Sequence, residues 1–498
     1  MTDQNDGSAK AVNIASDPAA SPARPGFFDG IFARGPGAGG TGAGGRAVAD
    51  DAAWLRSMLA AEAALARALE RAGLAPDGAG AAVTRAADAG DFGQADLAEL
   101  GRAAVLTGNP VPGLARVLAR RVTESAARSA VHQGATSQDI MDTAAMLLAR
   151  DALDQAVADL TAAANATARL ADTNRGTLMI GRTLLQQAVP TTFGVVAAGW
   201  LAGLDSAIEW LAFVRDTRLA VQLGGAAGTL ASLDEAGPRV KALMAEELGL
   251  ADPPLPWHTE RLRIIDVGSA SARACAALSK IARDVTLLAQ TEVGEVAEGS
   301  EFGGSGPRRG GSSAMPNKSN PVAAVAVLGC AKQAPGLLAT LLASAEQEYQ
   351  RAAGAWHAEW QPYSHLLQLV VSAAAWAREL LANLDVDKAR MAANLAEAGG
   401  LPLAERITAL LRGSLSVPAA HDLVAVAAAR SASSGVPFGD VLLATPEIES
   451  KLAQAGVTPA EVERALDPSA YLGASDAFIT AALAAHRSDN SKGGVTRG

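Results

Sequence analysis

The sequence predicts an all-α protein built around a bundle of long helices, and three observations carry that expectation. Hydrophobic residues make up 49% of the chain but aromatics only 4%, so the apolar mass is mostly Ala, Leu and Val. Ala and Leu favour helix, whereas β-branched and aromatic strand formers are comparatively sparse. Apolar residues recur at helical spacing over several stretches longer than ordinary globular helices, and Gly and Pro gather mainly between those stretches. The 498 residues correspond to roughly two to four domains, or fewer where long helices share one core.

Residues 1–48 form an extension rich in Gly, Ala, Pro and Ser, including GPGAGGTGAGG at 35–45. Such a composition buries little apolar surface and is expected to be flexible. A GxGxxG match begins at Gly37, but no strand pattern precedes it, so it reads as linker. Phe27, Phe28, Ile31 and Phe32 are expected to dock locally on the body. Residues 49–115 read as an N-terminal helical domain. Asp50 or Asp51 caps its first helix, Trp54, Met58, Leu65 and Leu69 line one face, and Gly73 and Pro76 end it.

Residues 116–365 read as the central bundle, with helices over about 142–173, 191–223, 268–298 and 321–349. Pro253, Pro254 and Pro256 interrupt it before Trp257, and a Gly-rich loop interrupts it at 299–311. Between Arg182 and Asp205 lie 22 uncharged residues, long enough to span a bilayer. Gln186, Gln187, Pro190, Thr191 and Thr192 crowd one end, so a buried bundle helix is expected there. A further helix over 363–384 leads into a C-terminal helical domain of shorter elements, 366–486, and residues 487–498 form a disordered tail.

A net charge of -10, from 42 Lys plus Arg against 52 Asp plus Glu, argues against a general nucleic-acid or anionic-membrane surface. Cys275 and Cys330 are far apart and form no CxxC pair. Neither a disulfide framework nor a zinc ribbon is therefore expected, and a reducing cytoplasm fits. The opening MTDQNDGSAK lacks the apolar core of a secretory signal. The histidines show no metal-binding spacing, so no metal is expected.

The densest chemistry lies at 299–321. Six glycines in thirteen residues, with Arg308 and Arg309 among them, run into GSSAMPNKSNP and then an apolar helix starting near Pro321. Such a loop brings backbone amides close to an anion and can move.

Gly311, Ser312, Ser313, Met315, Pro316, Lys318, Asn320 and Pro321 match the GSSxMPxKxNP signature, and by it the chain resembles the fumarase/aspartase superfamily. HQGATSQDIMDTA at 132–144 and GRTLLQQAVPTTFG at 181–194 resemble two further blocks of that family. The resemblance runs from about residue 50 to 485. It implies the family's fold, with long central helices forming a twenty-helix core in a homotetramer and each site shared by three subunits. It implies a small-molecule substrate and no cofactor. Carried over by position, Ser312 resembles the mobile-loop serine that handles a proton next to a carboxylate, and Lys318 its catalytic partner. Ser313, Met315 and Asn320 join the substrate site, with Met315 also packing beneath the loop. Thr136 and Ser137 resemble carboxylate binders and His132 a substrate-contacting histidine. Gln186, Trp257, His258 and Arg261 belong to matched blocks and complete the expected set.

Physical logic agrees with those roles. Deprotonating carbon next to a carboxylate concentrates negative charge, which fixed hydroxyl and amide donors and one cation stabilise. The departures from the family are equally informative. Relatives usually carry a histidine after R-T, paired with a glutamate four residues beyond the signature proline, where this chain has Leu184 and Val325. General acid assistance to a leaving group is worth roughly 10² to 10⁴ in rate. A carboxylate leaving group, with a pKa of roughly 4, needs none. The expected reaction is therefore lactonisation of a conjugated tricarboxylate, in which an internal carboxylate adds across a double bond. PWHTER at 256–261, RAAGAWHAEWQP at 351–362 and GGLPLAE at 399–405 resemble the cycloisomerase branch of the family. The rivals are a carbon-nitrogen lyase of the adenylosuccinate lyase kind and a non-catalytic protein on the same scaffold. Arg182, Arg261, Arg308, Arg309, Lys318 and Arg351 are the cations available for a trianion.

Overall fold

The computed structural model describes residues 27–35, 46–88, 92–299, 310–311, 315 and 318–493. A single turn, α1 (Asp29–Phe32), lies on the body of the protein. The Ile31 carbonyl accepts from the Ser372 hydroxyl and the Trp376 indole, both at 2.9 Å. Arg34 pairs with Glu379, and its guanidinium stands 3.8 Å from the centre of the Trp376 ring. Ile31 and Phe32 pack on the core as expected, but Phe27 and Phe28 stay exposed.

The Asp50 carboxylate accepts the Ala53 N–H at 2.8 Å and so opens α2 (Asp51–Arg71). Gly73, at φ 79°, terminates this helix in the left-handed region that glycine enters freely. Three shorter helices follow: α3 (Ala79–Ala86), α4 (Gln94–Thr107) and α5 (Val111–Arg121). Together with α2 they share a core that includes Leu59, Leu65, Leu69, Val83, Leu114 and Leu118.

The bundle itself begins with α6 (Ser137–Thr173), 37 residues long. A two-stranded hairpin, β1 (Leu178–Thr183) and β2 (Gln186–Thr192), leads into α7 (Phe193–Thr217). After α8 (Gly237–Leu248) come α9 (Leu262–Leu288), the short strand β3 (Val296–Glu298), α10 (Val322–Ala343) and α11 (Ala355–Ala382). Helices α6, α7, α9, α10 and α11 close a ring in that order, each packed on the next and α11 on α6. They alternate in direction. Ala-rich faces, such as Ala145, Ala149, Ala152, Ala156, Ala163 and Ala164 of α6, are fully or almost fully buried and allow close approach of neighbouring axes.

β4 (Leu384–Val386) pairs antiparallel with β3 and leads to α12 (Lys388–Glu397). Five helices then make a separate small core around Leu411, Phe438, Leu442 and Leu452: α13 (Ala404–Leu411), α14 (Val417–Ser434), α15 (Phe438–Leu443), α16 (Pro446–Gln454) and α17 (Pro459–Ala465). The last helix, α18 (Ser475–Gly493), returns to α7 and α6, where His486 bonds Asp205 at 2.9 Å and Asn165 at 3.0 Å.

Several expectations change: the boundary at 115/116 falls inside α5, and α18 continues to Gly493 where a disordered tail was expected from 487. The domain boundary at 365/366 falls inside α11, which continues to Ala382 because its apolar face stays in the bundle core. Residues 178–192 form a hairpin, so the helix expected from 191 starts at Phe193, with Thr192 capping it by accepting the Val195 N–H.

Candidate active site

The ring has two ends. At the head, α6, α9 and α11 begin while α7 and α10 finish; at the tail the reverse holds. Even α10, with 22 residues, holds the two ends about 33 Å apart.

The head is organised by two carboxylates that motif reading did not single out. Asp139 is fully buried one turn into α6 and accepts four N–H groups. These are the Thr136, Gly224 and Gly225 amides, each at 2.9 Å, and His258 Nε2 at 2.6 Å. The Thr136-x-x-Asp139 spacing is a helix-start signal that sequence inspection can find. Glu62, fully buried on α2, accepts the His132 backbone N–H at 2.9 Å and meets its Nδ1 at 2.7 Å. His132 sits at φ 58°, a conformation this double contact supports. Burial works against its charged form, yet the hydrogen bond and charge of Glu62 outweigh it, raising the imidazole above its ordinary 6.5. Nothing in the local pattern marks Glu62, which lies 70 residues away.

Thr136 and Ser137 are half-buried at the start of α6, and the Ser137 hydroxyl makes no hydrogen bond among the described residues. Trp257 and Arg261, expected as substrate ligands, are instead structural. The Trp257 indole is buried and donates to the Val221 carbonyl at 3.0 Å. The buried Arg261 guanidinium forks onto Asp142 at 2.8 and 3.0 Å and onto Glu359 at 2.7 to 3.2 Å. Its remaining Nη1 hydrogen points at the Trp257 and His258 carbonyls at 3.4 Å, so no N–H is left for a ligand. Burial opposes the charge, but the two carboxylates hold its pKa above the ordinary arginine value. Arg351 is committed too, to Gln138 Oε1 at 2.8 Å and the Ala226 and Gly225 carbonyls at 2.9 and 3.2 Å. His357 lies apart on the Gly108 carbonyl.

The tail carries the remaining candidates. Leu184 and Leu185 form a two-residue hairpin tip at φ 50° and 65°, the geometry usually given to Asn-Gly. Leu184 is 96% exposed, and Gln186 beside it is exposed as well. Arg182 forks onto the buried Glu295 at 2.7 and 2.9 Å, so it braces the hairpin.

Gly310 and Asn320 close the base of the signature loop. The Asn320 backbone and side-chain amides donate to the Gly310 carbonyl at 2.9 and 3.0 Å, and Asn320 Oδ1 accepts no hydrogen bond among the described residues. Gly310 has φ 79°, and a Cβ there would lie 2.2 Å from the Asn320 carbonyl. Lys318 is exposed, and its ammonium makes no ion pair among the described residues. Met315 is 48% exposed, and most of the loop it is expected to pack beneath lies outside the described residues. Ser312, Ser313, Arg308 and Arg309 lie outside the described residues. Val325, on the first turn of α10, is 55% exposed. The structure thus gathers His132, Thr136, Ser137 and His258 at one end and Gln186, Met315, Lys318 and Asn320 at the other.

Comparison with known proteins agrees with this architecture. Residues 46–336 match a family described as Lyase, and residues 400–482 match one described as Adenylosuccinate lyase C-terminus. The chain is 44% identical to the nitrosuccinate lyase of Streptomyces davaonensis, covering 88% of this chain and 91% of that protein. It is 42% identical to the 3-carboxy-cis,cis-muconate cycloisomerase of Bradyrhizobium diazoefficiens, over 87% of this chain and 94% of that one. The crystal structure of the 3-carboxy-cis,cis-muconate lactonizing enzyme of Pseudomonas putida superposes with a TM-score of 0.83 at 36% identity, covering 93% of this chain and 99% of that chain. By sequence, by fold and by the placing of its motif blocks, this chain belongs to the lyase family, within the fumarase/aspartase superfamily that its signature resembles.

Proposed function

We propose that the protein is a cycloisomerase that closes 3-carboxy-cis,cis-muconate to its lactone. A substrate carboxylate oxygen bonds to one alkene carbon, and the neighbouring carbon takes a proton from Ser312 or a group that it positions. The observation that carries this reading is the character of the hairpin tip and of the first turn of α10. Leu184 and Val325 present only methyl groups there, and the hairpin's arginine is held by Glu295. Among the described residues, the hairpin tip and the first turn of α10 offer no acid of the kind an amine or hydroxide leaving group requires, while an internal carboxylate departs unassisted in the reverse direction. The relatives from Bradyrhizobium and Pseudomonas support the choice of substrate. The cytoplasm suits the two buried free cysteines, and aromatic catabolism is the setting in which such a reaction falls.

A second reading, elimination from nitrosuccinate, is favoured by the 44% identity to the Streptomyces lyase. Nitrite is also a stable anion at neutral pH, so the same apolar tip serves it. Separate incubations with 3-carboxy-cis,cis-muconate, nitrosuccinate and adenylosuccinate decide. Loss of diene absorbance in the first alone supports cycloisomerisation. Nitrite release from the second without turnover of the first selects the alternative, and turnover of adenylosuccinate alone overturns both. Ser312→Ala is expected to lower turnover by about 10² to 10⁴ or more with the fold retained; unchanged turnover removes Ser312 from the chemistry.

The working unit in this proposal is a homotetramer with sites shared between subunits. One protomer holds its two groups of candidates at opposite ends of the ring, so a second copy must bring a tail to a head. Only 39% of the most apolar window of α7, and of α10, is buried within one protomer. Five long helices per chain supply twenty in four copies. Both helices are long and apolar enough to cross a membrane, and their buried faces, with Phe193, Trp200 and Cys330, lie in the protein core.

A further inference from the structure

Among the described residues, six other than glycine hold a positive φ. His132 is seated on Glu62, and Leu184 and Leu185 make the hairpin tip. Leu230 is buried and donates its N–H to the Gly224 carbonyl, and Asp234 opens a short helical turn. Tyr349, at φ 52°, stands in the loop between α10 and α11. Its side chain is 87% exposed, and its phenol makes no hydrogen bond among the described residues. A bulky residue in the left-handed region carries a conformational cost, which persists only where the surroundings enforce it.

The surroundings belong to the head of the ring. The Thr259 hydroxyl, one residue beyond His258, donates to the Tyr349 carbonyl at 3.0 Å. Two residues after Tyr349, Arg351 donates to Gln138, the neighbour of Ser137. Gln347, two residues before it, donates to Glu359 at 2.8 Å. The loop between α10 and α11 is therefore tied to the same elements that place His258 and the start of α6. The cations at this end are already committed, Arg261 to Asp142 and Glu359 and Arg351 to Gln138 and two carbonyls, while His132 faces Glu62. A carboxylate arriving here meets neutral hydroxyls.

We infer that Tyr349 is a substrate-contacting, specificity-determining residue whose phenol donates a hydrogen bond to a substrate carboxylate held beside Thr136 and Ser137. The inference rests on the proposal that the substrate is a polycarboxylate. Its test pairs kinetics with chemical modification of the assembled protein. Tyr349→Phe, which retains the ring, is expected to raise KM for 3-carboxy-cis,cis-muconate about tenfold while kcat stays within about threefold. In the unmodified protein, tetranitromethane is expected to nitrate Tyr349, and propane-1,2,3-tricarboxylate to slow that nitration severalfold. Tyr471, in the C-terminal helices, is expected to react at an unchanged rate. An unchanged KM, a loss confined to kcat, nitration insensitive to the tricarboxylate, or a Tyr349 already shielded before ligand is added each overturns the inference. Absence of muconate turnover in the unmodified protein would instead count against the proposed function, and protection by the tricarboxylate would still decide the role of Tyr349.

Discussion

Asp139 shows how few residues set the geometry at the head of the ring. One buried carboxylate closes the first turn of α6, holds the Gly224–Gly225 backbone and fixes the His258 ring. The His132–Glu62 pair makes a pH-dependent contribution whose sign follows from its raised pKa. The charged pair stabilises the fold fully below the unfolded histidine value, and that contribution fades as pH rises through the higher folded value. Glu62→Gln is therefore expected to cost more stability at about pH 6 than at about pH 9, read as the shift in urea midpoint against the unmodified protein. A gap that widens toward alkaline pH would contradict the assignment. His132, Thr136 and Ser137 were legible as a motif, and Asp139 as a cap. Glu62 and the partners of Arg261 were not, because Asp142 and Glu359 reach Arg261 from 119 and 98 residues away and only folding brings them together.

At the scale of elements, the long helices were legible because an apolar stripe sustained over several turns has one reading. Their limits shifted where capping chemistry lay outside the stripe, as at Thr136 and Thr192. The hairpin was not legible, since Leu184–Leu185 lacks the Asn-Gly turn signal and no long alternation flanks it. Arg261 joins the starts of α6, α9 and α11 through two buried carboxylates. Arg261→Leu would leave both carboxylates without their cation, a loss of about 3 to 5 kcal/mol. The expected outcome is a clearly lowered melting temperature. A variant that melts normally and shows only a raised KM would restore Arg261 to the substrate.

For the whole molecule, the separation of the two candidate groups makes a distinctive prediction. Lys318→Met, altered at the tail, and a double Thr136→Val, Ser137→Ala variant, altered at the head, are each expected to be nearly inactive. Unfolding and refolding them as a mixture is expected to restore activity, because some sites then receive an intact tail from one parent and an intact head from the other. Recovery no greater than the sum of the separately refolded variants would mean that each site is completed within one chain. The helix lengths take on a further role in such an assembly. Each bundle helix acts as a spacer gauge, because the span from head to tail in one protomer must equal the offset between docked copies. Lengthening the bundle by a single turn, about 5.4 Å, would throw every pocket in the particle out of alignment at once, although no residue of any pocket had been changed.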